Sequence, residues 1–187
     1  MELHIKNLCK SYDGRPVLEN VTFTAKPGVT CVMAPSGAGK TTLLRILLGL
    51  ERPGGGSFTG NVRWSAVFQE DRLLEHLDAM GNLRFVLGAA LDEPAAGALL
   101  TELGLGDTAG KPVREFSGGM KRRLALARAL LAPSDALALD EPFTGLDEEN
   151  RARCQALLRR AGEEKPVLLV THDPADAQAL DAAVVKL

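Results

Sequence analysis

The stretch APSGAGKTT (34–42) constrains this chain more than any other. It follows VTCVM (29–33), a continuous apolar run of the kind a strand buried on both faces carries. It precedes LLRILLGL (43–50), which has the pattern of a helix. Strand, glycine-rich loop and helix, in that order, is the context in which a loop can wrap a phosphate. Such a loop needs backbone N–H groups around the phosphate, a helix N-terminus aimed at it, and a cation that reaches its outer oxygens. Gly37 and Gly39 let the backbone come close, Lys40 is the reaching cation, and the Thr41 hydroxyl is expected to ligate Mg²⁺. Ala34, Pro35, Ser36, Ala38 and Thr42 complete the cradle. The general pattern GxxxxGK[ST] begins with glycine, where this chain has Ala34. Alanine tolerates ordinary negative φ, so the loop is expected to form.

A second constellation belongs with the first. ALALDEP (136–142) reads as an apolar strand that ends in two adjacent carboxylates. At the C-terminal end of a strand both can reach a ligand at the sheet edge. Asp140 is expected to hold Mg²⁺ through water, and Glu141 to act as general base on an attacking water.

The rest of the chain alternates between the two periodicities. ELHIKNL (2–8) and VLENVTFTA (17–25) read as strands around the turn DGRP. RWSAVFQ (63–69), PVLLVTH (166–172) and AVVKL (183–187) read as further strands. MKRRLALARALLA (120–132), behind Ser117 as N-cap, RARCQALLRRA (151–161) and PADAQALDA (174–182) read as helices. PGGGSFTG (53–60) is neither regular helix nor long strand, and from Asp71 to about Gly110 the text turns helical and rich in Ala and Leu. The expected fold is α/β: a mostly parallel sheet flanked by helices, with an N-terminal antiparallel β layer and a helical insertion over about 71–115, all in one domain, 1–187.

Composition removes several classes. Lys and Arg total 22 against 24 Asp and Glu, a net charge of −2, which gives no nucleic-acid footprint. Lys121-Arg122-Arg123 accordingly reads as a solvated helix face. No apolar run reaches the ~18–20 residues of a membrane helix, and MELHIKNLCK has no secretory h-region, so a soluble, cytoplasmic chain is expected. Cys9, Cys31 and Cys154 are too scattered for a disulfide framework or zinc site and are expected to be buried or half-buried thiols. Trp64 is expected in the core, and His4 and His76 at the surface.

FSGGM (116–120), followed by KRRLALARALL, resembles the signature of ATP-binding cassette (ABC) proteins, usually LSGGQ, with Phe116 for Leu and Met120 for Gln. The resemblance covers nearly the whole chain in the family's order. It implies a RecA-like P-loop NTPase core that binds ATP and Mg²⁺. Tyr12 matches the aromatic that stacks on adenine, Gln69 the Q-loop glutamine, Gly145-Leu146-Asp147 the D-loop, and His172 the switch histidine. The implied catalytic set is Lys40, Gln69, Glu141 and His172, with Thr41, Gln69 and Asp140 around the metal. Ser117, Gly118 and Gly119 open a helix, and in this family they meet the γ-phosphate of ATP held by the other subunit. A second copy of the chain is therefore an implied partner, in a two-fold pair that sandwiches two ATPs with Asp147 among the nucleotide-contacting residues.

FQEDRLLEHLDAMGNLRFVL (68–87) resembles the Q-loop region of cassettes that serve nitrate, sulfonate and taurine importers, with Glu75-His76 where those often have Pro-Trp. This implies an ATPase that energises import of a small solute, with transmembrane permease subunits as partners and membrane contact only through them. A groove lined by Leu73, Leu74, Leu77 and Phe85 is the expected seat for a permease helix. The segment GSFTGNVRW (56–64) reads as a trimmed hairpin, and no C-terminal regulatory domain is expected after His172. The competing readings are a soluble, non-transport ABC ATPase and a binding-only regulatory module. The first usually carries two cassettes or a long coiled-coil insertion. Intact Lys40, Asp140, Glu141 and His172 argue against the second.

Overall fold

In a computed structural model of the chain, residues 1–35 and 37–187 are described. The strands are β1 (Leu3–Tyr12), β2 (Arg15–Ala25), β3 (Gly28–Met33), β4 (Gly55–Phe58), β5 (Trp64–Val67), β6 (Ala136–Asp140), β7 (Pro166–Thr171) and β8 (Ala183–Lys186). The helices are α1 (Lys40–Leu47), α2 (Ala79–Leu87), α3 (Glu93–Glu102), α4 (Gly118–Leu131), α5 (Glu148–Glu164) and α6 (Pro174–Ala179).

Five strands form one sheet in the order β5-β6-β7-β3-β8, and every pairing in it is parallel. Its central strands are continuous apolar runs because both faces are covered, and successive side chains go to opposite cores. Leu137 and Leu139, Val167 and Leu169, and Val29 and Cys31 enter one core with α2, α3, α4 and α5. Ala136 and Ala138, Leu168 and Val170, and Val32 enter the other, where Leu43, Leu44, Ile46 and Leu47 of α1 meet Leu3, Ile5, Leu8 and Leu18. Each fully buried leucine contributes about 1.5–3 kcal/mol, so a polar residue in any of these strands would cost a large fraction of a domain's stability. Cys31 and Cys154 are buried, and burial pushes both thiols up to about 12, which leaves them inert at neutral pH.

A three-stranded antiparallel sheet, β2-β1-β4, forms the expected outer layer. The segment read as a trimmed hairpin is not one. β4 pairs with β1 of the antiparallel sheet, and β5 pairs with β6 of the parallel sheet, so the chain changes sheets between Phe58 and Trp64.

The helical reading of 71–110 starts too early. Phe68–Asp78 has no regular secondary structure, and α2 begins at Ala79 because the Asp78 carboxylate accepts from Gly81 N at 2.7 Å and caps it. Buried Asn82 then holds the loop: its Oδ1 accepts from Leu74 N at 2.8 Å, and its Nδ2 donates to the carbonyls of Leu74 and Asp78, each at 3.0 Å. A basic run was also misread. Arg122 and Arg123 are each only 8% exposed, so this face of α4 is buried, and Lys121 alone reaches out, to Glu75 at 2.8 Å.

Candidate functional site

Four neighbouring strands of the parallel sheet deliver their C-terminal ends to one place. β3 runs into the phosphate loop, β5 into Gln69, β6 into Asp140 and Glu141, and β7 into His172. Register lines them up, with Met33 opposite Thr171, and Asp140 opposite Val170. Loops beyond the carboxyl ends of parallel strands form the natural binding crevice of such sheets. Here they enclose a cavity of about 700 Å³ lined by Tyr12, Gly37, Gly39, Lys40, Thr41, Thr42, Gln69, Asp140, Glu141 and His172, together with Val17, Arg122 and Thr144. Ser36 lies outside the described residues.

The loop's geometry follows from its sequence. Gly39 caps α1 with φ +86°, and a Cβ there would come within 2.6 Å of the Val17 carbonyl oxygen, so no other residue fits without displacing β2. Ala34 is not among the positive-φ residues, so the alanine stands where the family glycine does without backbone strain. Its carbonyl and that of Pro35 accept from Lys40 Nζ at 2.7 and 3.1 Å, which curls the ammonium over the loop.

Thr41 Oγ1 donates to Asp140 Oδ2 at 2.8 Å. Asp140 is 2% exposed, and its other oxygen, Oδ1, has no hydrogen-bond partner among the described residues. Burial raises this carboxyl above its ordinary value, against the opposing hydrogen bond from Thr41. A buried carboxylate oxygen with nothing to pair with is costly, and a hard cation would neutralise it. The donor set of hydroxyl and carboxylate oxygens therefore fits Mg²⁺ on chemical grounds.

Glu141 adopts φ 49°, uncommon for a residue with a long side chain, and its amide donates to Val170 O at 3.0 Å. That turn swings its carboxylate away from Asp140 and onto His172, whose Nδ1 donates to Oε1 at 2.8 Å. The carboxylate holds the imidazole above its usual range through this bond, reinforced by its negative charge. Residues flanking His172 are anchored from α5: Arg151 Nε donates to buried Asp176 at 2.8 Å, and Arg151 also pairs with Asp173. Thr171 Oγ1 donates to the same Asp176 at 2.9 Å.

Tyr12 is 41% exposed, and its hydroxyl donates to Glu51. Lys10 Nζ sits 5.0 Å from the ring centroid and 2.9 Å from the same carboxylate. The ring is thus tethered at the mouth of the cavity with one face available to a base.

The remaining predicted residues are not in this cavity. Ser117, Gly118, Gly119, Gly145, Leu146 and Asp147 line a second one, of about 430 Å³, with Asp71, Arg122, Arg123, Thr144 and Asn150. Ser117 Oγ accepts from Met120 N at 3.2 Å and Asp147 Oδ1 from Asn150 N at 2.8 Å, so both side chains cap their own helices. Gly119 admits the neighbouring loop, since a Cβ there would stand 3.3 Å from Gly145 O. The two cavities share Arg122 and Thr144.

The groove expected from Leu73, Leu74, Leu77 and Phe85 does not form as such. The three leucines are half-buried and Phe85 is 72% exposed. An apolar groove of about 440 Å³ lies beside them instead, lined by Leu50, Val62, Trp64, Phe68 and Val86 among others. Trp64 is half-buried: it packs against the α1-side core, as expected, and also forms a wall of this groove. No helix among the described residues is long and apolar enough to cross a membrane. Sequence reasoning missed Arg122, Val17 and Thr144. Arg122 carried a signal, its place three positions after Gly119, but the run around it looked like surface charge.

A phosphate loop at the carboxyl edge of a parallel sheet, with a threonine–aspartate pair and a glutamate–histidine pair across it, defines the class: a P-loop ATPase. The ABC transporter family model matches residues 18–144. The chain is 44% identical over 178 residues to the aliphatic sulfonates import ATP-binding protein SsuB of Delftia acidovorans, covering 91% of this chain and 73% of that protein. It is 41% identical over 185 residues to the aliphatic sulfonates import ATP-binding protein SsuB 1 of Rhodococcus jostii (strain RHA1), covering 94% and 75%. A solved structure described as a dimeric bacterial ABC transporter cassette superposes with a TM-score of 0.84 at 27% identity, over 98% of this chain and 94% of that one. The chain belongs to the ABC transporter family and is one of its ATP-binding ATPases.

Proposed function

We propose that this chain is the ATP-hydrolysing subunit of an importer of aliphatic sulfonates. In this reading it is a single cassette domain that works as a two-fold pair and sits on permease subunits at the inner face of the membrane. The names carried by similar proteins support the substrate class. The observation that supports the chemistry is the convergence of Lys40, Thr41, Asp140, Glu141 and His172 at four adjacent strand ends.

Tyr12 stacks on the adenine, and the phosphates lie over the Gly37–Thr42 backbone at the N-terminus of α1. Lys40 exchanges the carbonyls of Ala34 and Pro35 for phosphate oxygens. Thr41, Asp140 and Gln69 hold Mg²⁺, which when bound neutralises charge on the phosphate oxygens. Glu141 takes the proton of the attacking water, and His172 holds that carboxylate in place and faces the γ-phosphate. Ser117, Gly118, Gly119 and Asp147 line the second cavity and not this pocket. They serve the nucleotide of the other copy, and closing the pair completes both sites. The apolar groove beside Trp64 and Val86 receives the permease.

Purification of the tagged chain from membranes tests the assembly. The expected outcome is co-elution with permease subunits, and vesicles reconstituted from that complex take up an aliphatic sulfonate only with ATP. Elution of the chain alone overturns the transporter reading. Uptake of another solute in place of sulfonates overturns the substrate.

A further inference from the structure

Between Phe68 and Asp78 the backbone has no regular secondary structure, and its carbonyls are satisfied piecemeal: Arg114 N donates to Glu75 O at 2.9 Å, Val113 N to Leu77 O at 2.8 Å, and Asn82 to the carbonyls of Leu74 and Asp78. Two arginines of α4 take four more, at the start of the segment. Arg122 Nη1 donates to Phe68 O at 2.6 Å and its Nη2 to Gln69 O at 2.5 Å. Arg128 Nη2 donates to Asp71 O at 2.8 Å and its Nη1 to Arg72 O at 2.7 Å. Arg122 is 8% exposed and finds its counter-charge in Asp71 Oδ1, 3.2 Å from Nη1. Arg72 itself sits at φ 50° with its guanidinium 4.0 Å from the Phe68 ring centroid, so the segment is bent and pinned.

Both ends of this clamp touch a cavity. Gln69 lines the phosphate pocket, while α4 opens with the glycines of the second pocket, and Arg122 lines both. A rigid planar fork that donates to two consecutive carbonyls holds both position and orientation, which a lysine cannot do.

We propose that Arg122 is a positioning residue that ties Gln69 to helix α4, so that occupancy of the phosphate pocket is transmitted to the Ser117–Gly119 pocket of the same chain. This rests on the reading of Gln69 as a phosphate-pocket residue. Arg122 need not contact nucleotide. It makes the segment that senses this chain's nucleotide and the helix that meets the partner's move as one body.

Amide hydrogen exchange of the full chain with and without Mg-ATP, in the Glu141→Gln background to prevent turnover and at a dilution where the chain elutes as a monomer, tests the tie. Without Arg122→Gln, ATP is expected to protect amides of 37–42 and also of 117–121. With Arg122→Gln, protection at 37–42 persists and protection at 117–121 is lost. In steady state, Arg122→Gln alone lowers kcat about 5–150-fold, the range of ordinary coupling energies, with the ATP KM little changed. Arg122→Lys keeps the charge and loses the fork. It is expected to fall between, and it serves if Arg122→Gln does not fold. Equal protection at 117–121 with and without the fork overturns the proposal, as does unchanged kcat in both variants. Absent protection at 37–42 in the parent overturns the reading of the phosphate pocket itself, and the tie with it.

Discussion

The phosphate pocket and the Ser117–Gly119 pocket are built on opposite plans. The phosphate pocket is made of charged side chains, each held by a specific partner: Lys40 by two carbonyls, Thr41 by Asp140, His172 by Glu141. The second pocket is lined by helix caps and glycine backbone, with Arg122, Arg123 and Asp71 at its wall already paired within the chain. Ser117 and Asp147 spend their side chains on α4 and α5, and Arg123 is committed to Leu103 O at 2.5 Å and Gly119 O at 3.2 Å. The first holds the groups proposed to move protons and bind a metal. The second offers backbone N–H groups and a positive helix end beside Arg122 and Arg123, which suits an anion brought to it. The difference fits the proposed division of labour, with one chemical half-site and one docking half-site lining two cavities that share Arg122 and Thr144.

Replacing Glu141 by Gln breaks the first plan and gives the largest expected effect. Turnover falls by roughly 10²–10⁴-fold, the ordinary worth of a general base, while ATP binding persists. Phosphate release at the parent rate would remove Glu141 from that role. Ser117→Arg breaks the second plan only. Hydrolysis is expected to fall by about 10²–10³-fold, as when a transition-state donor is removed, and nucleotide binding measured on the isolated chain stays within about twofold, since Ser117 lines the second cavity and not the first. A loss of binding as large as the loss of rate would merge the two pockets into one site.

The smallest effect sharpens the comparison. Of His4, His76 and His172, followed by NMR, His172 is expected to titrate above the ordinary histidine value of 6.5, and Glu141→Gln returns it toward that value. A raised histidine contributes to the fold below its unfolded value, and the contribution is lost as pH rises through the folded one. The ring is 72% exposed, so its imprint on stability is small and the titration itself is the measurement. An unshifted His172 would mean that the pair does not persist in solution.

Much of the first pocket was legible because its residues are consecutive or end apolar strands. Backbone geometry places Gly39, Lys40 and Thr41 once a strand and a helix flank them, and Asp140–Glu141 once ALAL is a strand. The second pocket's motif was legible, but not its separation from the first. Local sequence carries no information on how far two loops lie apart across a sheet. Arg122 was misread for the same reason. A basic residue on a helix looks solvated until tertiary packing brings uncapped carbonyls against it. The hairpin reading of GSFTGNVRW failed because strand pairing is a long-range choice, with Gly55 meeting Cys9 and Trp64 meeting Ala136.

The sequence by itself determined the parallel α/β core, the phosphate loop and the carboxylate pair. These follow from periodicity and from backbone rules that act over a few residues. Only the tertiary structure decided that β4 and β5 join different sheets, that the loop 68–78 hangs on Arg122, Arg128 and Asn82, and that the motifs expected to contact nucleotide line two cavities. Those are matters of which distant groups satisfy one another's hydrogen bonds and charges, and satisfaction is decided by proximity in space, which spacing along the chain does not encode.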